Sequence, residues 1–287
     1  MALILAGLGT SIDYISLRVL DELVRADIVL IEPYTSIVIG LGYDRLKRMV
    51  LGKLAYVSRK DLEEDYEWII EEAKHKRVLI LVAGDPLTAT THVSLLIEAR
   101  RKGIEVEVIP AVSGVYASMS LSFLQVYRFG KIVTLTYPEK DYRPHSVIEV
   151  VRENLELNLH TLILLDIRYD EGRAMNLGEA ADILLELEEE YCTENKCKPL
   201  LERVIGVGIA RAATRESMIQ ADLIPKLKNY RYPPPPHSLI IVARPHPVEL
   251  EALIELASLP LDSVKESLYA NVLKYTSYSS ELGKPTM

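Results

Sequence analysis

Cysteine is nearly absent from this chain: 287 residues hold two, Cys192 and Cys197, both in the charged stretch 188–198. Two thiols cannot complete a tetrahedral zinc site, and a disulfide-framework mini-protein needs far more of them. They read as surface-loop thiols, with a local disulfide between them also open. Positive charge is short as well. Lys and Arg number 33 against 41 Asp and Glu, a formal net charge of −8, so no global positive field exists to hold a phosphate backbone and a nucleic-acid partner is not expected. Long hydrophobic runs are missing. The longest, Val78 to Gly84, falls far short of the roughly 20 residues that span a bilayer. The opening Met1-Ala2-Leu3-Ile4-Leu5-Ala6-Gly7 has neither a basic leader nor a cleavage-site pattern, so it reads as a buried strand, and a cytoplasmic protein without membrane attachment is expected. Phe and Trp are scarce too, at two and one against sixteen Tyr, so most rings carry a hydroxyl that needs water or a partner.

What is present is an ordinary globular composition, 49% hydrophobic and 26% charged, with length for two modest domains. Short apolar runs alternate with stretches of helical periodicity: a strand at 2–6, a helix at 16–26, a strand at 27–31, a charged helix at 61–76, a strand at 78–82, a helix at 90–102 and a strand at 105–109. Continuous apolar strands such as Val78-Leu79-Ile80-Leu81-Val82 indicate burial on both faces, as in parallel sheets covered by helices. After Phe129-Gly130 the pattern restarts, with strands at 131–135, 161–166, 204–209 and 238–242 and helices at 146–157 and 177–191. The spacing predicts an α/β chain with a mostly parallel sheet in each of two domains, 1–129 and 130–260, followed by a helical extension and mobile tail at 261–287. The acidic run Glu186–Glu190 reads as a solvated helix face. Four consecutive prolines, Pro233–Pro236, form a stiff connector that sets His237 at the mouth of the last strand.

In open α/β sheets ligands collect beyond the carboxyl ends of the strands. Three loops lie there. Gly7-Leu8-Gly9-Thr10-Ser11 follows the first strand. It is not a dinucleotide fingerprint, because the third glycine would fall at Ile12, and a lone GxG serves equally well as a turn. Gly84-Asp85-Pro86-Leu87-Thr88-Ala89-Thr90-Thr91-His92 offers a carboxylate and hydroxyls suited to a cation, an amine or a ribose, or else to capping the helix from Thr90. Pro110-Ala111-Val112-Ser113-Gly114-Val115 leaves room for a flat ligand.

Taken in order, these loops resemble the diphthine synthases, a branch of the tetrapyrrole-methylase (class III methyltransferase) superfamily. The matching residues include Gly7-Leu8-Gly9, Glu32-Pro33-Tyr34-Thr35-Ser36, Ser58-Arg59, the Gly84–His92 loop, Tyr127-Arg128-Phe129-Gly130, Tyr137-Pro138-Glu139, His160-Thr161-Leu162 with Leu165-Asp166-Ile167, Ala210-Arg211-Ala212 and Pro235-Pro236-His237. The match spans about residues 1–260; the stretch 191–200 and the tail beyond Pro260 have no counterpart in it.

The resemblance implies a two-domain methyltransferase and a homodimer that uses S-adenosyl-L-methionine and no metal. By matching position, the cofactor contacts are Thr10, Asp85, Thr88, Ser113, Gly114, Val115, Leu165, Ala212 and His237. Thr88 stands where relatives often carry an aliphatic residue. The acceptor it implies is the amine of a 3-amino-3-carboxypropyl group on a histidine of translation elongation factor 2, methylated successively to diphthine. A tetrapyrrole or corrin ring, or a ribose of ribosomal RNA, is the alternative acceptor within the same fold. A sulfonium methyl donor needs alignment more than acid–base help, so no catalytic residue is singled out. Tyr34, Tyr127 and Tyr137 offer faces to a cationic product, or simply pack. His92 reads as a packing or capping residue, and His160, Arg59 and Glu139 as support for the fold or for docking.

Overall fold

The computed structural model describes residues 1–33, 37–140 and 142–282. The chain divides into two compact units: Met1–Ala117 with Ile167–Arg173, and Ser118–Asp166 with the chain from Ala174 onward.

The first unit runs β1 (Ala2–Gly7), α1 (Leu17–Arg25), β2 (Ile28–Ile31), α2 (Tyr43–Lys47), β3 (Lys53–Tyr56), α3 (Arg59–Glu63), α4 (Glu67–His75), β4 (Arg77–Val82), α5 (Val93–Arg101), β5 (Glu105–Ile109) and the start of α6 (Gly114–Leu121). Its sheet is wholly parallel in the order β3-β2-β4-β1-β5. The central strands are apolar on both faces because helices cover both: every residue of β1 is buried, and separate clusters around Leu5, Ile70 and Ile80 and around Ile4, Leu23 and Leu79 fill the two layers. Ser16 caps α1, its Oγ accepting from the Val19 N–H at 3.2 Å, and Ser58 and Asp61 form a reciprocal capping box on α3. The single charged helix expected at 61–76 is two helices, since α3 ends at Glu63 and α4 begins at Glu67.

The second unit takes the rest of α6, then β6 (Val133–Leu135), α7 (Ser146–Glu156) and β7 (Thr161–Leu165). A small hairpin follows in the chain, β8 (Ile167–Arg168) with β9 (Arg173–Ala174), of which residues 167–173 belong to the first unit. Next come α8 (Leu177–Asn195), β10 (Ile205–Ala210), β11 (Met218–Leu223), β12 (His237–Ile241), α9 (Pro247–Leu256) and α10 (Leu261–Glu266). The sheet order is β11-β10-β12-β7-β6. The expectation of a mostly parallel second sheet is corrected here: only β6–β7 is parallel, and β7–β12, β12–β10 and β10–β11 are antiparallel. The connections explain it. A short loop joins β10 to β11 and the proline segment leads into β12, and neither contains the crossover helix that a parallel neighbour requires. Along α8, Leu177, Ala180, Ala181, Leu184 and Leu187 recur at helical spacing and are fully buried against this sheet's core.

The division between units falls within α6, twelve residues before the expected 129/130 boundary. Residues beyond Ala117 are tied into the second unit: Ser118 Oγ lies 3.1 Å from Ser238 Oγ, and the Gln125 N–H donates to Glu249 at 3.0 Å. Residues 261–282 are likewise part of that unit, with the Leu268 N–H donating to the Arg203 carbonyl at 3.0 Å and Val272 and Leu273 buried.

Candidate functional site

Because β1 lies between β4 and β5, the loops leaving those three strands stand side by side. Gly7 marks how closely. A Cβ there would sit 2.5 Å from the Gly84 carbonyl oxygen and 2.7 Å from the Ala111 Cβ, so only glycine fits. Gly9 and Gly84, with φ of +75° and +71°, exchange backbone hydrogen bonds of 3.1 and 2.9 Å. Asp85 locks the second loop to the third: its Oδ1 accepts from the Leu87 N–H at 3.0 Å and the Thr88 hydroxyl at 2.9 Å, and its Oδ2 accepts from the Ala111 N–H at 3.1 Å. The Pro86 carbonyl is gripped by the Thr90 hydroxyl at 2.7 Å and by His92 Nδ1 at 3.2 Å, which fixes a proton on that nitrogen. Neither Asp85 nor a threonine caps the following helix. It begins at Val93, His92 occupies the capping position without a side-chain cap bond, and Thr91 instead donates to Glu63 at 2.9 Å. Ser113 Oγ accepts from the Val115 N–H at 3.2 Å and starts α6 at Gly114. Thr10, Asp85, Thr88, Ser113, Gly114 and Val115 thus belong to one cluster of loops at one end of one sheet.

The remaining three residues cluster in the second unit. Sheet register pairs Leu135 with Leu165, Leu164 with Ser238, and His237 with Ala210, so Leu165, His237 and the start of the Ala210-Arg211-Ala212 turn share one end of the sheet. His237 is 5% exposed and both ring nitrogens are engaged: Nδ1 accepts from the Leu177 N–H at 3.2 Å, and Nε2 donates to the Pro233 carbonyl at 2.7 Å. Burial pushes its pKa down, against the Pro233 bond that favours the charged form. The ring is therefore a brace between the proline connector and the start of α8. Ala212 lies between two residues with positive φ, Arg211 at +49° and Ala213 at +54°. That strained turn is held by the Arg211 N–H and Nε, which donate to the Pro236 and Pro234 carbonyls at 2.8 Å each.

Other expected residues have plain structural positions. Tyr137 is 8% exposed in the second core, whereas Tyr127 is 77% exposed; Tyr34 lies outside the described residues. His160 is fully buried, accepts from the Ala243 N–H at 3.0 Å and meets Glu249 at 3.3 Å. Glu249 is a hub that sequence reading missed. It also accepts from the Gln125 and His246 N–H groups and pairs with Arg128; burial pushes its carboxyl up, but the hydrogen bonds from His160 and from the Gln125 and His246 N–H groups bring it down to about 2. The acidic run is not simply solvated: Glu188 is 1% exposed and accepts from the Leu200 and Leu201 N–H groups, while burial raises its pKa. Cys192 is not a loop residue but a buried one on α8, disulfide-bonded to Cys197.

The residues present suit a small neutral-to-cationic organic ligand. A Cβ on Gly84 would meet nothing within 4 Å and one on Gly114 only the Thr10 methyl at 3.8 Å, so the loops leave space above both. Ser11 Oγ in the first unit and Thr136 Oγ1 at the end of β6 in the second are buried hydroxyls with no hydrogen-bond partner among the described residues, which a ligand or water must satisfy. Among the described residues no group of three or more His, Cys, Asp or Glu is arranged to hold a metal ion, and no helix is long and apolar enough to cross a membrane.

Comparison with known proteins gives a consistent result. The tetrapyrrole (corrin/porphyrin) methylase family model matches residues 2–196. Diphthine synthase of Staphylothermus marinus is 43% identical over 261 residues, 88% of this chain and 93% of the relative, and that of Methanocaldococcus jannaschii is 40% identical over 254 residues, 88% and 97% respectively. A crystal structure of diphthine synthase superposes with a TM-score of 0.81 at 31% identity, over 92% of this chain and 98% of the other. The chain therefore belongs to the tetrapyrrole methylase family and, within it, to the diphthine synthases, S-adenosylmethionine-dependent methyltransferases.

Proposed function

We propose that this chain transfers methyl groups from S-adenosyl-L-methionine, in succession, to the amine of the 3-amino-3-carboxypropyl group carried by a histidine of translation elongation factor 2, the diphthine-forming step of diphthamide biosynthesis. Support comes from relatives named diphthine synthase that match over nearly their whole length, and from the loops that Asp85 ties together at the ends of β1, β4 and β5. The same reading carries a cytoplasmic homodimer that acts on a protein and not on nucleic acid.

When bound, the cofactor supplies an electrophilic methyl on a sulfonium. The chain's part is placement. Asp85 keeps the Gly84 loop against Ala111, Gly84 and Gly114 leave backbone approachable, and Thr10, Thr88, Ser113 and Val115 line the same loops. In the second unit Leu165, Ala212 and His237 serve through their shared position at the sheet end. His237 is not the base that frees the acceptor amine of its proton, because Nδ1 accepts from Leu177 and Nε2 already donates to Pro233.

Methyl-labelled cofactor tests the proposal. Elongation factor 2 bearing the unmethylated 3-amino-3-carboxypropyl group is expected to take up label, and the same factor with an unmodified histidine is expected to take up none. Label in neither, from enzyme that binds the cofactor, overturns it.

A further inference from the structure

We propose that a cleft in the second unit binds a small organic phosphate, with Arg244 as its principal cation. The cleft measures about 500 Å³ and lies between the turn before β6, the turn before β7, the start of α9 and the segment after α10. Its lining includes Gln125, Arg128, Asn158, Arg244, His246 and Tyr275, all with side-chain hydrogen-bond donors, and among the described residues no Asp or Glu lines it. The cleft stands at the far end of the second sheet from Leu165 and His237. Strand β12 runs from His237 to Ile241, which pairs with Thr161 at the start of β7, and Arg244 follows three residues on. None of the residues matched to cofactor contacts lines it.

Two arginines line the cleft in different states. Arg128, its side chain 16% exposed, pairs with Glu249 and donates through Nη2 to the Asn158 and Arg244 carbonyls at 3.4 and 2.7 Å. Those bonds answer its charge and pin the backbone of both neighbours at the cleft wall. Glu249 in turn is 1% exposed and committed to Arg128, His160 and two backbone N–H groups, so its charge is answered inside the fold. Arg244 is different. Its carbonyl is taken by Arg128, but its exposed guanidinium makes no hydrogen bond or ion pair among the described residues. His246 Nδ1 accepts from the Val248 N–H at 3.3 Å, which leaves the ring proton on Nε2, and Tyr275 is 60% exposed with Lys274 Nζ 4.8 Å over its ring. An unpaired guanidinium, a second cation at the rim and neutral donors therefore surround the cleft.

The chemistry narrows the ligand class. A cation-bearing lining of donors without a carboxylate selects an anion. Its layout favours a tetrahedral one, because the donors come from four separate stretches of chain and meet an oxyanion from several sides, whereas a planar carboxylate is satisfied by a single fork. Phosphate fits that description. At about 500 Å³ the cleft is of the size of small-molecule sites and exceeds what phosphate alone fills, and Pro245, Pro247 and Val272 give an organic remainder its apolar wall. The net charge of −8 keeps the attraction local, so a nucleic-acid backbone is not the occupant.

The probe is inorganic phosphate, titrated against the full chain at fixed pH and ionic strength and read from the His246 ring by NMR, with glutarate as the carboxylate comparison. The ring is assigned by its absence in His246→Gln. The wild-type chain is expected to give a saturable shift with phosphate and to bind glutarate more weakly. Arg244→Gln is expected to weaken phosphate about tenfold, the worth of a charge-assisted hydrogen bond, and Arg244→Lys to lose less. Arg100→Gln, which removes an exposed arginine of α5 in the other unit, is expected to change nothing. A shift that never saturates, undiminished binding by Arg244→Gln, or an equal loss in Arg100→Gln overturns the site. Glutarate bound as tightly as phosphate overturns the phosphate assignment. S-adenosylhomocysteine affinity, measured alongside, is expected to be the same in Arg244→Gln as in the wild-type chain; a parallel loss contradicts a cleft separate from the cofactor loops.

Discussion

Asp85 Oδ2 accepts a hydrogen bond from the backbone N–H of Ala111 at 3.1 Å, across 26 residues of sequence. With Oδ1 engaged by Leu87 and Thr88, one carboxylate fixes the loop after β4 to the loop after β5. Replacing it by alanine leaves three donors without their acceptor, at about 1–3 kcal/mol where a donor stays buried. Asp85→Ala is therefore expected to fold with a lowered melting temperature and to bind S-adenosylhomocysteine at least tenfold more weakly, by calorimetry. Unaltered affinity removes Asp85 from the site.

His237 gives a pH dependence with a definite sign. Its folded pKa lies below the ordinary histidine value because burial disfavours the charged ring. The unfolded chain thus takes up the proton first, and the stability this ring contributes is complete above pH of about 6.5 and fades as pH falls through the lower folded value. Protonating Nδ1 also breaks the bond from Leu177. Histidine NMR titration should show one ring with a depressed pKa that disappears in His237→Gln; a ring titrating at the ordinary value contradicts the brace.

Glu249 should matter for stability far more than for binding. It sits between Arg128, His160 and two backbone N–H groups, and its carboxyl is held at about 2. Glu249→Leu strands a largely buried guanidinium, a loss of the order of 3–5 kcal/mol. Because the folded pKa is depressed, the wild-type advantage is complete above the ordinary glutamate range and shrinks as pH falls toward 2. Urea unfolding at pH 7 and pH 3 checks both points, and an equal difference at the two pH values counts against the hub.

Reduction of the Cys192–Cys197 disulfide should be a local matter. The bond joins residues five apart at the end of α8, so closing so short a loop is worth about 2 kcal/mol. Leu177, which meets His237, begins that helix, and Cys192 lies about 22 Å along it at 1.5 Å per residue. A reductant is expected to lower the melting temperature and leave S-adenosylhomocysteine affinity unchanged; a parallel loss of affinity would refute this separation.

How much of this was legible in the sequence depends on how local the signal is. The strand Ala2–Gly7, the Gly84–His92 loop and helix Ser146–Glu156 announce themselves by uninterrupted apolar residues, by glycine and proline, and by helical spacing. Strand Lys53–Tyr56 does not, being a sheet-edge strand that is only partly buried. Met218–Leu223 hides for another reason: it buries Gln220 and Asp222, polar residues that look like loop until Ser258 and Tyr230 are seen to bond them. The site loops were readable because each follows its strand at once. The bond from Ala111 to Asp85, the Glu249 hub and the burial of Glu188 were not, because their partners come from distant sequence or from a turn whose path only the fold sets.

The account stands most directly on one weighing. Elongation factor 2 carrying the unmethylated 3-amino-3-carboxypropyl histidine is incubated with this protein and S-adenosyl-L-methionine, and its intact mass is followed in time. The account predicts stepwise gains of one methylene mass each, confined to the peptide with the modified histidine and abolished when S-adenosylhomocysteine is in excess. A mass that never changes, from enzyme shown by calorimetry to bind the cofactor, contradicts it.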